Sequence, residues 1–412
     1  MAEILPKWQD KPQVVNKAST PTLRQVFKSP WKLMVFGLGC LVSLHLFSRM
    51  LSGSIIRRST EMSAQSMPSD SLHDIYNSTL GFQKVFAIGF AERTDKRDAK
   101  TLASSFTDID IEWLPAVSFE QVSPKAAPPT WDFNRQAKGA LGCWRAHMNA
   151  LEHIVRHRIQ TALIMEDDAD WDVSLKDQLL EFATGTRALQ HLPPNSPSSS
   201  AYGSEWDFLW LGHCRVGSTD DDQEFWVIDD DSTSPPVKHR WAGWTNRHFP
   251  DEVRRDGTRV ILNAAGGGMC LYSYAVTYET ARKILASVSL TSIDSPVDAS
   301  LSEMCRGKLG NPLRCYAPYP PLLASHRAAG PQFRDSDLNE KGDKWHKAYT
   351  WDIVYSTVLN IPRLVKGMAT VNAQWPDHSR PEILWNSSLR ASSKGYLKTI
   401  AVSNSTTSPN EP

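Results

Sequence analysis

The sequence lacks an excess of charge of either sign: 45 Lys and Arg balance 45 Asp and Glu. That balance argues against a nucleic-acid partner of the kind a basic surface would attract. Cysteine is scarce, with six in 412 residues, and no second Cys/His pair stands at the spacing of a zinc module. No apolar run reaches the roughly 20 residues that a hydrocarbon core asks for. The longest, 33–47, stops short. No small-residue cleavage site follows it closely, which argues against a removed secretory signal.

What is present is unevenly placed. Residues 1–58 hold nine Lys and Arg against Glu3 and Asp10, a net of +7, so the remainder carries −7. A basic head on an acidic body suggests a compartment boundary. Trp31, Met50 and Leu51 extend the apolar run, while Lys32 and Arg49 can snorkel outward. The basic residues ahead of it put the N-terminus in the cytosol. The expected organisation is a cytosolic tail (1–30), a transmembrane signal anchor (31–51), a Ser-rich luminal stem (52–80), a catalytic body (81–385) and a flexible polar tail (386–412). A buried core helix or a mitochondrial targeting segment would show a similar run. The expectation is a single-pass type II protein of the Golgi or ER membrane with a luminal body. Sequons at Asn77, Asn386 and Asn404 fall where exposed chain is expected. Beyond the anchor, Cys214 could pair with Cys270 and Cys305 with Cys315, although sequence alone does not fix connectivity. Cys143 would then remain free.

The body is organised around Thr161-Ala162-Leu163-Ile164-Met165-Glu166-Asp167-Asp168-Ala169-Asp170. A short, non-alternating apolar run of this kind suits a strand buried on both faces. Ligands of open α/β sheets bind just beyond the carboxyl ends of strands. Acids there can hold a hard divalent cation, and through it a diphosphate. A nucleotide-sugar site is therefore the leading reading of Glu166, Asp167 and Asp168. A solvated loop would also carry such a triplet. Asp220–Asp222 reads as loop. Asp229–Asp231 follows an apolar run and competes for the metal role, but Ser232-Thr233-Ser234-Pro235-Pro236 after it favours a hairpin tip.

Val85–Phe90 reads as a first strand, with Arg93, Lys96 and Arg97 beyond it. These can pair with phosphates or form a charged first helical turn. Ile109–Val117 reads as a second strand. Gly139–Arg158 reads as a helix with Leu141, Trp144, Met148, Leu151 and Val155 on one face, and Cys143 and His147 lie one turn apart beside it. That pair could ligate zinc or act as a nucleophile pair, whereas packing explains a buried thiol as well. The order β-β-α-β predicts an α/β fold with a mostly parallel central sheet. Further strands are expected at Trp206–Gly212 and Met269–Val276, and a helix at Thr277–Val288. Residues 215–258 are expected as loops over the sheet. Ser295-Pro296-Val297-Asp298 fits a capping box, which by itself accounts for Asp298.

Several of these segments together resemble glycosyltransferase family 25, which includes bacterial lipooligosaccharide galactosyltransferases and collagen galactosyltransferases. Its first strand runs into an Asn-Leu-x-x-Arg-x-x-Arg-Arg-like segment; Ile88–Arg97 keeps Arg93 and Arg97, with Gly89-Phe90 replacing Asn-Leu. Gly139, Gly142, Cys143 and His147 match Gly-Glu-x-Gly-Cys-x-x-Ser-His, with Ala140 and Ala146 replacing Glu and Ser. Glu166-Asp167-Asp168-Ala169 matches fully. Trp206-Asp207 to Leu211-Gly212, Tyr272–Leu285 and Pro296-Val297-Asp298 follow in order. The resemblance spans roughly residues 82–330. It implies a GT-A-like nucleotide-sugar fold and an inverting, metal-dependent transfer from a UDP-sugar to a glycan, protein or lipid acceptor. Glu166 and Asp168 would hold the metal, Mn²⁺ or another divalent cation. Arg93, Arg97, His147 and Asp167 would contact the donor. Asp298 would be the base that deprotonates the acceptor hydroxyl, with His326 a further candidate. The lost Glu and Ser also leave room for a catalytically inactive, membrane-tethered binding protein.

Overall fold

The computed structural model describes residues 71–193, 196–219, 224–241, 249–291, 295–338, 342–389 and 395–400. Its elements, in chain order, are β1 (Lys84–Gly89), α1 (Thr94–Thr107), β2 (Glu112–Pro115), α2 (Lys138–His157), β3 (Thr161–Glu166), β4 (Ala169–Trp171), α3 (Leu175–Leu189), β5 (Phe208–Gly212), β6 (Glu224–Ile228), β7 (Arg259–Asn263), β8 (Ser273–Thr277), α4 (Tyr278–Ile284), α5 (Val297–Cys305), β9 (Cys315–Tyr319), β10 (Leu323–Arg327), β11 (Tyr349–Thr350), α6 (Thr357–Val365) and β12 (Tyr396–Thr399).

Nine strands form one sheet in the order β12-β6-β7-β9-β5-β8-β3-β1-β2. Side chains alternate between its faces. Phe86, Ile88 and Ile164 enter one apolar layer with Trp144 and Leu151 of α2. Val85, Ala87, Leu163 and Met165 enter the opposite layer with Leu179 and Phe182 of α3 and with Trp171. β1 and β3 are thus buried on both faces, which is why their sequences show apolar runs instead of alternation.

The sheet is mixed, and this corrects the expectation of a mostly parallel, GT-A-like one. β1 runs parallel to β2 and β3, and β9 to β5. β8 lies antiparallel between β3 and β5, and β6, β7, β9 and β12 are joined by antiparallel ladders. The β-α alternation behind the parallel reading stops after α3. Among the described residues no α-helix separates β5 through β8. Without a helical crossover the chain returns antiparallel. Residues 215–258 therefore contribute a sheet strand, β6, as well as loops.

The expected transmembrane helix is not supported either. Among the described residues no helix is long and apolar enough to cross a membrane, and the segment 31–51 lies outside them, as do Asp220–Asp222 and Asn404. Disulfides join Cys214 to Cys270 and Cys305 to Cys315, leaving Cys143 free and half-buried.

A smaller antiparallel sheet, β11-β10-β4, holds the segment just past β3. The acidic turn is thereby fixed at both ends, by β3 before it and β4 after it.

Candidate functional site

A cavity of about 610 Å³ opens where β1 and β3 end, and Ile88, Gly89, Arg93, Lys96, Glu166, Asp167 and Asp168 are among its lining. Its other walls come from the segment after β2 (Ala116–Glu120), from Lys138, Cys143, Ala146 and His147 of α2, and from Phe333 and Ser336–Leu338. Two glycines let these walls close. A Cβ at Gly89 would stand 2.8 Å from the Asp167 Cβ, and one at Gly142 would stand 2.3 Å from the Val117 carbonyl oxygen.

The acids of the turn have different surroundings. Asp167 accepts a hydrogen bond of 2.8 Å from Lys96 Nζ. Burial nevertheless pushes its carboxyl up to about 6, against the pull of Lys96. The pair is asymmetric, because Lys96 also faces Asp168 and Asp337, and these acids hold it above the usual lysine range despite burial. Asp168 Oδ2 accepts from Ser325 Oγ at 2.7 Å and from Arg327 at 3.3 Å. Asp168 Oδ1 is buried without a hydrogen-bond partner. A buried, unpaired carboxylate oxygen is costly unless something positive meets it. Glu166 lies 3.5 Å from His147 Nε2, whose Nδ1 meets the Tyr274 hydroxyl at 2.9 Å. Asp170, fully buried, is used structurally, accepting from Thr350, Ser356, Val358 and Trp171.

Beneath the turn, Lys100 Nζ donates to the Glu166 carbonyl at 3.2 Å and to the Ala169 carbonyl. Burial lowers its pKa to about 8, opposed by Asp168, Asp167 and Asp170. At the rim, Arg93 bonds Asp95 and Asp337, and Lys96 donates to Asp337 at 2.6 Å. Hydrogen bonds from Lys96 and Arg93 overcome the cost of burying Asp337 and hold its carboxyl below the usual range.

Five of the expected site residues therefore surround one cavity: Arg93, His147, Glu166, Asp167 and Asp168. His326 does not line it; its backbone N–H donates to the Asp168 carbonyl at 2.8 Å, and the residue lines a smaller neighbouring cavity. Arg97 is not brought in; it stacks on Trp113, 4.3 Å from the ring centroid. Asp298 does not line the cavity either. No capping box forms, since α5 begins at Val297 without a side-chain cap. Asp298 instead accepts from the Cys270 N–H at 3.0 Å and from the Ala299 N–H at 2.8 Å, tying α5 to the Cys214–Cys270 bridge. The competing Asp229–Asp231 is occupied elsewhere: Asp231 pairs with buried Arg259 at 2.7 Å and Asp229 with Arg255 at 3.0 Å.

Sequence reasoning missed Lys96 as a central group, and Lys100 and Asp337 entirely. Arg93, Lys96 and Lys100 recur at i, i+3, i+7, which marks one helix face; Arg97, at i+4, shares that face by spacing, so spacing alone does not separate it from the others. Asp337 has no local signal.

A layered α/β protein with carboxylates and cations gathered beyond the ends of the parallel strands β1 and β3 presents the edge at which open α/β sheets bind their ligands. No family model matches the chain. Curated relatives do. Procollagen galactosyltransferase 1 of Danio rerio is 29% identical over 148 residues, 33% of this chain and 22% of the relative. A glycosyltransferase 25 family member of Anopheles gambiae is 23% identical over 242 residues, 56% of this chain and 33% of the relative. Procollagen galactosyltransferase 2 of Mus musculus is 18% identical over 153 residues, 34% of this chain and 22% of the relative. At low identity, these relatives support the chain's place in glycosyltransferase family 25. Their matches cover only 22% to 33% of the relatives' own length.

Proposed function

We propose that this chain is a glycosyltransferase that moves a hexose from a UDP-sugar to a hydroxyl of a glycan, protein or lipid acceptor. Galactose is the sugar to which the relatives' names point. The observation that carries the reading is Asp168 Oδ1, buried and unpartnered beside a cavity of about 610 Å³. Its size suits a nucleotide sugar, since small-molecule pockets run from roughly 300 to 1,000 Å³.

The donor set fits a hard divalent cation such as Mn²⁺: carboxylate oxygens of Asp168 and Glu166, one of them without a partner. Such a cation, when bound, neutralises charge developing on the diphosphate leaving group. The chain's own groups do the rest. Lys96 and Arg93 face the cavity from the start of α1, where the helix N-terminus adds to their pull on phosphate. Lys100 holds the acidic turn from below by its two main-chain carbonyls. Ser325 and Arg327 fix Asp168 Oδ2, so that Oδ1 keeps its direction. The two disulfides favour an oxidising compartment, and we place the body in the ER or Golgi lumen.

A second reading, donor binding without transfer, draws on Ala146, which lines the cavity where the family pattern has Ser. One experiment separates the two. The purified full chain is given a panel of UDP-sugars with Mn²⁺, with EDTA and as Asp168→Asn, and UDP release is measured. Metal-dependent release that falls at least about 100-fold in the variant, on the order of 3 kcal/mol in barrier, is the expected outcome. Tight UDP binding without release selects the second reading. Release indifferent to EDTA and to the substitution would overturn the assignment of the site.

A further inference from the structure

Three potential ligands of another chemical type lie on the cavity floor. Cys143 Sγ, a His147 ring nitrogen and a Glu166 carboxylate oxygen are all within 4.8 Å of one another. Cys143 and His147 come from adjacent turns of α2, and Glu166 from the last position of β3. Both elements are anchored in the core, so the constellation does not depend on a loop.

We propose that these three side chains bind a thiophilic divalent transition metal of the Zn²⁺ class, at a site distinct from the hard-cation position on Asp168. The donor types carry the distinction. Thiolate and imidazole select zinc-like ions, whereas Mn²⁺ and Mg²⁺ prefer oxygen alone. Zinc bonds of about 2.0–2.3 Å place tetrahedral ligands roughly 3.5 Å apart. His147 Nε2 and Glu166 are already 3.5 Å apart, and no pair in the set exceeds 4.8 Å, so closing it needs a movement of at most about 1.3 Å.

The surroundings of His147 fit the role. The Tyr274 hydroxyl sits 2.9 Å from Nδ1. When Nδ1–H donates to it, Nε2 presents its lone pair toward Glu166, and an outer partner of this kind fixes both the tautomer and the ring of a ligating histidine. Tyr274 is itself fully buried and stacked on Phe208, with ring centroids 5.1 Å apart, so the imidazole has little freedom to turn away. Three protein ligands leave a fourth position, which faces the cavity that all three line. Binding replaces the proton on Cys143 Sγ with the metal, and that proton leaves to solvent. The two positions share Glu166, so a zinc ion held by Cys143, His147 and Glu166 competes with the donor-side cation for that carboxylate.

The test uses the full chain, stripped with chelator and without reductant so that both disulfides persist, and titrated with Co²⁺ as a coloured stand-in for Zn²⁺. One equivalent is expected to produce a thiolate-to-Co²⁺ charge-transfer band with tetrahedral visible absorption, and Zn²⁺ should bleach both. Cys143→Ser should abolish the charge-transfer band, His147→Ala should weaken binding at least tenfold, and Asp168→Asn should leave the band in place. In case a variant misfolds, the wild-type chain carries a second readout: alkylation of Cys143, followed by peptide mass spectrometry, should slow at least tenfold with Zn²⁺ but not with Mg²⁺. A weak octahedral spectrum without the charge-transfer band, a band lost in Asp168→Asn, or alkylation unaffected by Zn²⁺ would each overturn the proposal. None of these readouts involves a sugar donor, so failure here and failure of the transferase reading are distinguishable.

Discussion

Asp337 stands where a diphosphate would find its cations. It bonds Arg93 and Lys96 at the cavity rim, at 2.6 Å to each, and is about a third exposed. An anionic donor therefore competes with Asp337 for both groups. Replacing it by Asn keeps the shape and removes the charge, so UDP should bind more tightly. Partly exposed ion pairs are worth at most about 1 kcal/mol each. Two such pairs set an upper bound of about 2 kcal/mol, or roughly 30-fold in Kd, with about fivefold a reasonable lower expectation. Isothermal titration of UDP into the full chain measures this directly. Asp95→Asn is the control: Asp95 is Arg93's other partner, at 3.0 Å, but does not line this cavity, so its removal should change Kd less than about twofold. An unchanged or weaker Kd in Asp337→Asn would show that Asp337 orients Arg93 and Lys96 for the ligand, and would refute competition.

Two further outcomes follow from the buried parts of the site. Burial lowers the pKa of Lys100 to about 8, against 10.5 for the ordinary side chain, so between these values the unfolded chain binds more protons than the folded one and stability from this group rises with pH. Urea unfolding of wild type and Lys100→Met at pH 7.5, 9 and 10 should show that difference, up to about 3 kcal/mol; parallel pH profiles would refute it. Gly142→Ala forces a Cβ to 2.3 Å from the Val117 carbonyl oxygen, which should destabilise the fold by roughly 1–3 kcal/mol. Denaturant midpoints should fall together with UDP affinity, because Val117 lines the cavity; an unshifted midpoint would mean that α2 and this segment move apart freely.

The strand Thr161–Glu166 and the helix Lys138–His157 were legible because each has a pattern that only one packing satisfies: an unbroken apolar run and an amphipathic stripe. The sheet's mixed character was not legible. A strand such as Ser273–Thr277 looks the same in either direction, and its direction is set by connections that lack helices. The expected strand Met269–Val276 breaks at Cys270, which takes a positive φ of 63° where the Cys214 bridge and the Asp298 carboxylate meet. Those are partners 56 and 28 residues away, so local sequence carries no trace of the break.

The same contrast explains the acids. Asp168 and Asp231 each end a short acidic triplet after an apolar strand, and neither triplet announces its role. What separates them is the cation each meets. Arg259 lies on the neighbouring strand, β7, directly beside Asp231, and spends its guanidinium on it and on the carbonyls of Thr233, Pro320 and Pro321. That ion pair is closed on every side and only 3% and 8% exposed. Asp168 receives Arg327 on one oxygen only and keeps the other unpartnered. A carboxylate whose hydrogen-bonding capacity is filled inside the protein stabilises structure, and one left half-filled beside a cavity has capacity for a ligand. Functional assignment of such triplets therefore depends on counting the partners of each oxygen, which the fold supplies.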